Sequence, residues 1–479
     1  MRRRALTVND FAGTIPVNPM GAAATRHLGA APRRALGFGP LTRLTAMLFI
    51  ICLPFSTIAQ FGLLGNFDSN LSLWLFLPLM VMLAAHPLLY RTFLARTPEA
   101  TILRTFLVIM GLAALSTIFN GMRFDALGFR DYGLDPIRKS IITANVPILI
   151  GLLFLCSMTL ARGLSQQTLQ RSIHIGFWLT VGYTALQAFS LLVPNALYGA
   201  IWPFLEGAKD HEGVAYIQRF RRINGPTSEP AELVKLILIL YLPWIVLPMS
   251  GRISQAKLAA ALLITIASQA LTGLIILAIV IPILFLSTNV RMATKAFLVS
   301  VIFAGVILAT AFGDEILGRI SARVGNLEDD PSAVIRATYN WAAIEILWEN
   351  PIFGIGWSNE IFLYPPKISH IAHLWEVQNN IAEGMSLTAR SLVLRLAMYI
   401  GAPLLMVLIA VIIWGIRSKN AGGAPRDRAR TRLTFLILGV GGLVDGGIVT
   451  SFYIWVAAAL VLGYQMKCRD TALRMPPLP

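Results

Sequence analysis

Two stretches of the chain hold side chains suited to gripping an anion and moving a proton. The first is Gln218-Arg219-Phe-Arg221-Arg222-Ile-Asn-Gly225-Pro226-Thr-Ser228-Glu229-Pro230. A guanidinium keeps its charge and offers a fork of donors matched to phosphate oxygens. Glu229-Pro230 reads as a helix start, because proline suits a first turn and a carboxylate meets the positive helix end. The second stretch is the polar interval 313–390. In it Arg319 and Arg323 stand four apart and share a helix face, as do Arg336 and Asn340. Arginines from both stretches could converge on a diphosphate. Glu229, Glu383, His370 and His373 are the groups fit for proton transfer. Each has a plainer reading: arginines against lipid headgroups, Arg319 and Arg323 paired with Glu315 or with Glu328-Asp329-Asp330, and histidines on a solvated surface.

The same interval carries Trp341, Trp348, Trp357, Tyr364 and Trp375. Such rings favour membrane interfaces and also stack on sugars, and Trp357 is counted here as a substrate contact. A helical run ends at Asn350-Pro351, and Gly354-Ile-Gly356 then reads as a tight turn. It is not a nucleotide fingerprint, since no strand precedes it and no third glycine follows. No metal-ligand spacing is visible, and no cofactor is implied. The acidic run 328–330 reads as a solvated turn. Cys52, Cys156 and Cys468 form no disulfide framework.

The elements that must position these residues are apolar. The 479-residue chain is 56% hydrophobic and only 13% charged. Apolar segments fall near 41–64, 71–90, 102–119, 141–161, 173–194, 232–249, 256–288, 296–312, 391–416 and 433–464, which predicts an all-α integral membrane protein. The alternation of an outer-membrane barrel is missing. Segment 256–288 has a polar break at Ser268-Gln269 and Thr272-Gly273. Segment 433–464 breaks at Gly441-Gly442, Asp445 and Gly446-Gly447. Read as hairpins, they give about twelve transmembrane helices.

Charge sets the orientation. A net +16 reads as cytoplasmic loops rich in Lys and Arg rather than as nucleic-acid binding. The basic tail 1–40, the loops near 91–104, 162–171 and 252–257, and the run 417–432 then lie inside, with both termini. The tail 1–40 reads as disordered, and 467–479 as a short cytoplasmic tail. Helices 1–9 span 41–312 and include the external loop 195–231. Interval 313–390, with ten acidic and five basic residues, is the large external loop, and helices 10–12 span 391–466. Glu232 and Lys235 lie near one helix start. Asp445 falls at an external turn, where a charge costs little.

At this point the pattern resembles the O-antigen polymerase and O-antigen ligase superfamily. Arg222-Ile-Asn-Gly-Pro-Thr-Ser-Glu-Pro230 is similar to that family's Arg-x-x-Gly…Ser-Glu-Pro element. Arg336…Trp341…Glu349-Asn-Pro-Ile-Phe-Gly-Ile-Gly-Trp357 is similar to its Arg…Asn-Pro-Leu/Ile-Phe-Gly-x-Gly element. The resemblance covers roughly residues 40–465. It implies glycosyltransferase C-type architecture in the bacterial inner membrane and a periplasmic active site. The implied donor is a polyprenyl-diphosphate-linked glycan, with the bilayer and a chain-length regulator as partners and no nucleic acid.

By the same resemblance Arg222 and Arg336 engage the diphosphate and Glu229 matches the acid of the Ser-Glu-Pro element. Arg219, Arg221, Arg319, Arg323, Asn340 and Trp357 are the surrounding binding residues. One departure stands out. Where many members carry His-Asn/Ser-x-x-Leu…Glu-x-Gly, this chain has Arg390-Ser391-Leu-Val-Leu394…Tyr399-Ile-Gly401. Arginine is no base at ordinary pH. Either His373, His370 or Glu229 takes the proton, or no strong base is needed, while Arg390 adds a positive group to the site. The expected activity is polymerisation of lipid-linked repeat units of O-antigen, capsule or exopolysaccharide. A ligase delivering finished glycan to lipid A-core or protein, and a flippase or transporter of lipid-linked sugars, are the alternatives.

Overall fold

Proline marks the helix starts. Pro40, Pro87, Pro98, Pro136, Pro230 and Pro425 each stand in a first helical turn, where the missing N–H has no bond to lose. Side chains cap several of these ends. Thr97 accepts from the Ala100 N–H, and Asp135 accepts from those of Ile137 and Arg138. The computed structural model describes residues 37–56, 71–129, 135–192, 223–227, 229–248, 254–268, 270–286, 295–296, 331–374, 377–378, 387–418, 424–445 and 451–472.

Most of the described residues are helical, with no strand among them. In chain order the helices are α1 (Pro40–Cys52), α2 (Leu71–Ala84), α3 (Pro87–Phe93), α4 (Pro98–Ala126), α5 (Pro136–Thr143), α6 (Asn145–Gly163) and α7 (Gln166–Leu192). Next come α8 (Pro230–Lys235) and α9 (Leu242–Val246), joined without a break by a π-helical segment, Leu236–Tyr241. They are followed by α10 (Gln255–Ala267), α11 (Leu271–Leu286), α12 (Pro331–Glu349), α13 (Leu392–Ile400), α14 (Ala402–Arg417), α15 (Pro425–Val444) and α16 (Phe452–Ala472).

By length and composition, α4 and the continuous stretch Pro136–Gly163 are each able to cross a membrane. The pair α2–α3 would make a third span, but it bends by 88° at the break before Pro87. The expected segment 71–90 is therefore two helices, with His86 capping the second. Segment 391–416 is also interrupted, at Gly401, whose φ of +84° suits glycine. The break expected near Ser268 lies between α10 and α11. There the Cβ position of Gly273 comes within 3.0 Å of the Thr265 side chain. Eight residues of unbroken helix would separate them by about 12 Å, so the chain folds back.

The core is built on α6 and α16, the most extensively packed pair among the described residues. Small residues make it possible. Ala457, Ala458 and Ala459 are buried, and a side chain at Gly463 would run into the Met158 backbone. α4 packs beside α5, α6 and α14.

Candidate functional site

The first motif folds as a buried turn hung from α7. The Gln187 side chain donates to Asn224 Oδ1 at 2.6 Å and accepts from the backbone N–H groups of Asn224 and Gly225 at 3.2 and 2.8 Å. Gly225 has a φ of +56°, and the Thr227 hydroxyl donates to the carbonyl of Asn224. This turn delivers Glu229 to the N-cap of α8, with Pro230 behind it. The Glu229 carboxylate does not bond its own helix N–H groups, which leaves it for other work.

Four helix ends meet here: the starts of α8, α13 and α16, and the end of α15. Lys235, one turn into α8 and 1% exposed, pairs with Asp445 at 3.1 Å. Glu232 Oε1 accepts from the Ser451 hydroxyl at 3.0 Å, and the Glu232 carbonyl accepts from the Tyr453 hydroxyl at 3.1 Å. The Asp445 carbonyl accepts from the Leu392 N–H, and Ser391 donates to the Gly442 carbonyl. One residue earlier, the Arg390 N–H donates to Asn340 Oδ1 at 2.9 Å. The Arg390 guanidinium lies over the Tyr339 ring, 5.6 Å from its centre. Tyr339 is fixed in turn by a bond from the Tyr364 hydroxyl to its carbonyl.

Glu229 is exposed to water on one side, and neighbouring protein crowds its carboxyl on the other. Loss of hydration pushes its carboxyl above the ordinary carboxylate range. Glu232 and Asp445 push the same way, while Lys235 and Arg390 pull against them. Tyr364, beside the site, is raised well above the usual phenol value by burial and then by Glu360.

Of the residues singled out in sequence, Glu229, Asn340 and Arg390 share this site. Arg336 is exposed on α12, one turn from Asn340. His373 is exposed after a short 3-10 turn and makes no hydrogen bond or ion pair with a described residue. Arg219, Arg221, Arg222, Arg319, Arg323 and Glu383 lie outside the described residues, as does most of segment 296–312. Trp357 is 2% exposed and packs on Tyr399 at 4.8 Å, so its ring is core and offers no face to a sugar. Asp445 stands where α15 ends, as expected of a turn between helices, and there it neutralises the buried Lys235.

Two further residues of the site carried a signal that residue types alone supply. Lys235 is followed by an apolar run, and Asp445 is the sole acid between residues 433 and 464. A buried cation needs a counter-charge, so each residue called for a partner, but their pairing is seen only in the packing.

The glycines after Asn350 have a structural reason. Residues 351–357 insert between α4 and the α13–α14 break. The N–H groups of Ile355, Gly356 and Ala402 donate to the carbonyls of Met398, Tyr399 and Pro351, and the Trp357 N–H donates to the Thr117 hydroxyl. Side chains at Gly354 or Gly356 would collide with backbone, and both have positive φ. Below lies a sealed network: Tyr399 donates to Glu360 Oε1 at 2.6 Å and Arg395 Nε donates to the Tyr399 hydroxyl at 2.8 Å.

No metal-binding group of three or more His, Cys, Asp or Glu occurs among the described residues. No family model matches the chain, and no curated protein matches it.

Proposed function

We propose that the protein is a membrane glycosyltransferase that extends glycans carried on a polyprenyl diphosphate. What supports this most directly is the convergence of Glu229, Asn340 and Arg390. They come from three elements far apart in sequence and meet at one end of the helical bundle. The reading includes the finer architecture expected from charge: about twelve spans, termini in the cytoplasm, and the site at the periplasmic face of a bacterial inner membrane. A chain-length regulator is its natural partner.

In this reading Arg390 and Arg336, with Arg222 from the first motif, hold the diphosphate. Asn340 fixes the backbone of Arg390. A hydroxyl of the acceptor sugar attacks the anomeric carbon of the donor. The anomeric C–O bond breaks, and its electrons leave with the lipid diphosphate, whose growing charge the arginines stabilise. Glu229 takes the hydroxyl proton. It is the one carboxylate of the cluster with no hydrogen bond to its side chain from the described residues. Holding both sugars supplies much of the remaining acceleration.

Purified protein in liposomes, given lipid-linked repeat units, is expected to lengthen the glycan and release lipid diphosphate. Arg336→Lys is expected to lower that rate by about 100-fold, since a point charge does not replace a bidentate fork. A stably inserted Arg336→Lys protein that extends chains at the normal rate overturns the assignment. Transfer of finished glycan to lipid A-core or protein in the same assay would make it a ligase.

One observation favours a second reading, a transporter of lipid-linked sugars. The Lys235–Asp445 pair, with Glu232 beside it, puts ionisable groups inside a helix bundle, a common feature of transport paths. Movement of the substrate across the liposome membrane without new glycosidic bonds would select this reading.

A further inference from the structure

α4 carries an exposed apolar stripe at Val108, Leu112, Leu115 and Phe119, each between 42% and 70% exposed. The spacing of four, three and four keeps these residues on one side of the helix. In a helix able to cross a membrane, such a stripe faces lipid. The turn after α12 is pinned to this same level of α4. The Ser116 hydroxyl donates to the Phe353 carbonyl at 3.0 Å and Asn120 Nδ2 donates to the Gly354 carbonyl at 3.3 Å. Ile352 and Phe353 nevertheless point outward, 59% and 72% exposed. Backbone bonds on both sides hold the turn there, so the exposure of Phe353 belongs to the fold.

Between stripe and turn runs an open groove of about 510 Å³ whose walls are largely apolar. Arg123, in the last turn of α4, stands on its polar rim. One of its donors reaches Asn350 Oδ1 at 3.1 Å. A guanidinium has five, so others remain to face a ligand. An apolar groove open to the hydrocarbon side, with one cation at its rim, matches an amphiphile that ends in an anion.

We infer that the groove between α4 and the 350–354 turn seats a hydrocarbon chain of an anionic phospholipid from the surrounding leaflet, with the phosphate against Arg123. This rests on α4 crossing the membrane and is independent of the glycosyl-transfer chemistry. The seated lipid would plug the cleft between the bundle and the inserted turn.

The test uses full-length protein in nanodiscs with a photoactivatable phosphatidylglycerol bearing a diazirine in its acyl chain, and peptide mapping of the adducts. Labelling is expected on residues 112–119 and 352–353. Unlabelled phosphatidylglycerol should compete it away at least about tenfold better than phosphatidylcholine, the ratio one charge-assisted contact supplies. Arg123→Gln should lower labelling in the groove by a similar factor and Arg123→Lys should restore part of it. Labelling of Met406 and Val407, exposed on α14, should stay unchanged in both variants and reports intact insertion.

Equal competition by phosphatidylcholine, or undiminished labelling in Arg123→Gln, reduces the groove to ordinary bilayer contact and overturns the seat. Competition by a polyprenyl diphosphate alone also overturns it, in favour of an isoprenoid site. Absence of label from the groove and from Met406 and Val407 overturns both the seat and the membrane reading beneath it.

Discussion

Two arginines five residues apart, one just before α13 and one on it, live in opposite surroundings. Arg390, at the helix start, is half-buried and sits beside a carboxylate, Glu229, that still meets water. Arg395 is buried, and its partners Tyr399 and Glu360 are wholly enclosed. In the lower network the hydrogen bonds are short, and one oxygen of Glu360 has no hydrogen-bond partner among the described residues. Such an arrangement holds α13 to the loop below it and has no route for a substrate. The upper cluster has three acids, a lysine and an arginine, is open on one side, and owes its geometry to four helix ends. Enclosure separates a fastening from a working site more clearly than residue type does.

The largest effect should come from breaking the fastening. Glu360→Ala leaves Arg395 buried without its carboxylate, which is expected to cost about 3–5 kcal/mol and to appear as a large fall in melting temperature in detergent. Glu360→Gln, which still accepts from Tyr399, should cost less. Next comes the Lys235–Asp445 pair. Lys235→Met should destabilise toward the low end of that range, because Asp445 is partly exposed, and Asp445→Asn in the same chain should recover much of the loss. A double-mutant cycle by thermal unfolding measures the coupling.

Arg390→Ala sharpens the contrast from the other side. The Asn340 bond uses the backbone N–H and survives, so stability should change by less than about 1 kcal/mol. Chain extension should fall by about 100-fold or more. An equal loss of stability from Arg390→Ala and Glu360→Ala would erase the distinction between the two regions. The smallest effect is a shift in pH dependence. As a base, Glu229 must be ionised, so activity is lost as pH falls through its raised pKa. Glu232→Gln removes a neighbouring negative charge that pushes that value up. The acidic limb of the rate profile should therefore move to lower pH, and a move upward would exclude Glu229 as the base.

The sequence-level reading reached Glu229 and Asn340 because one stands at a helix start and the other one helical turn from an arginine, where local rules apply, and it reached Arg390 through the resemblance, at the position where the family carries His. It reached the turn at Gly354-Ile-Gly356 for the same reason. It treated Trp357 as a surface ring, because nothing local reveals that residues 351–357 are wedged between α4 and α13. The partnership of Lys235 with Asp445 joins residues 210 positions apart, and only the packing of α8 against the α15–α16 turn brings them together. The break near Ser268 was legible from its polar residues, but those at Gly401 and before Pro87 were not, since a lone glycine or proline is also tolerated within a helix, as at Pro78 and Pro282.

The π-helical segment Leu236–Tyr241 lies directly below Lys235 and is buried on every side. A π-turn holds one residue more than an α-turn, and such insertions often accompany functional sites. If the same residues were rewound as ordinary α-helix with none removed, the segment would gain about one residue's rotation. The lower part, packed around Trp244, would keep its footing, while the upper turn would swing by about 100° about the axis. Glu229, Glu232 and Lys235 would then face the wrong neighbours with no change in their chemistry. The aim of the whole acidic cluster is thus set by how many residues fill a turn in a stretch that contains no charge.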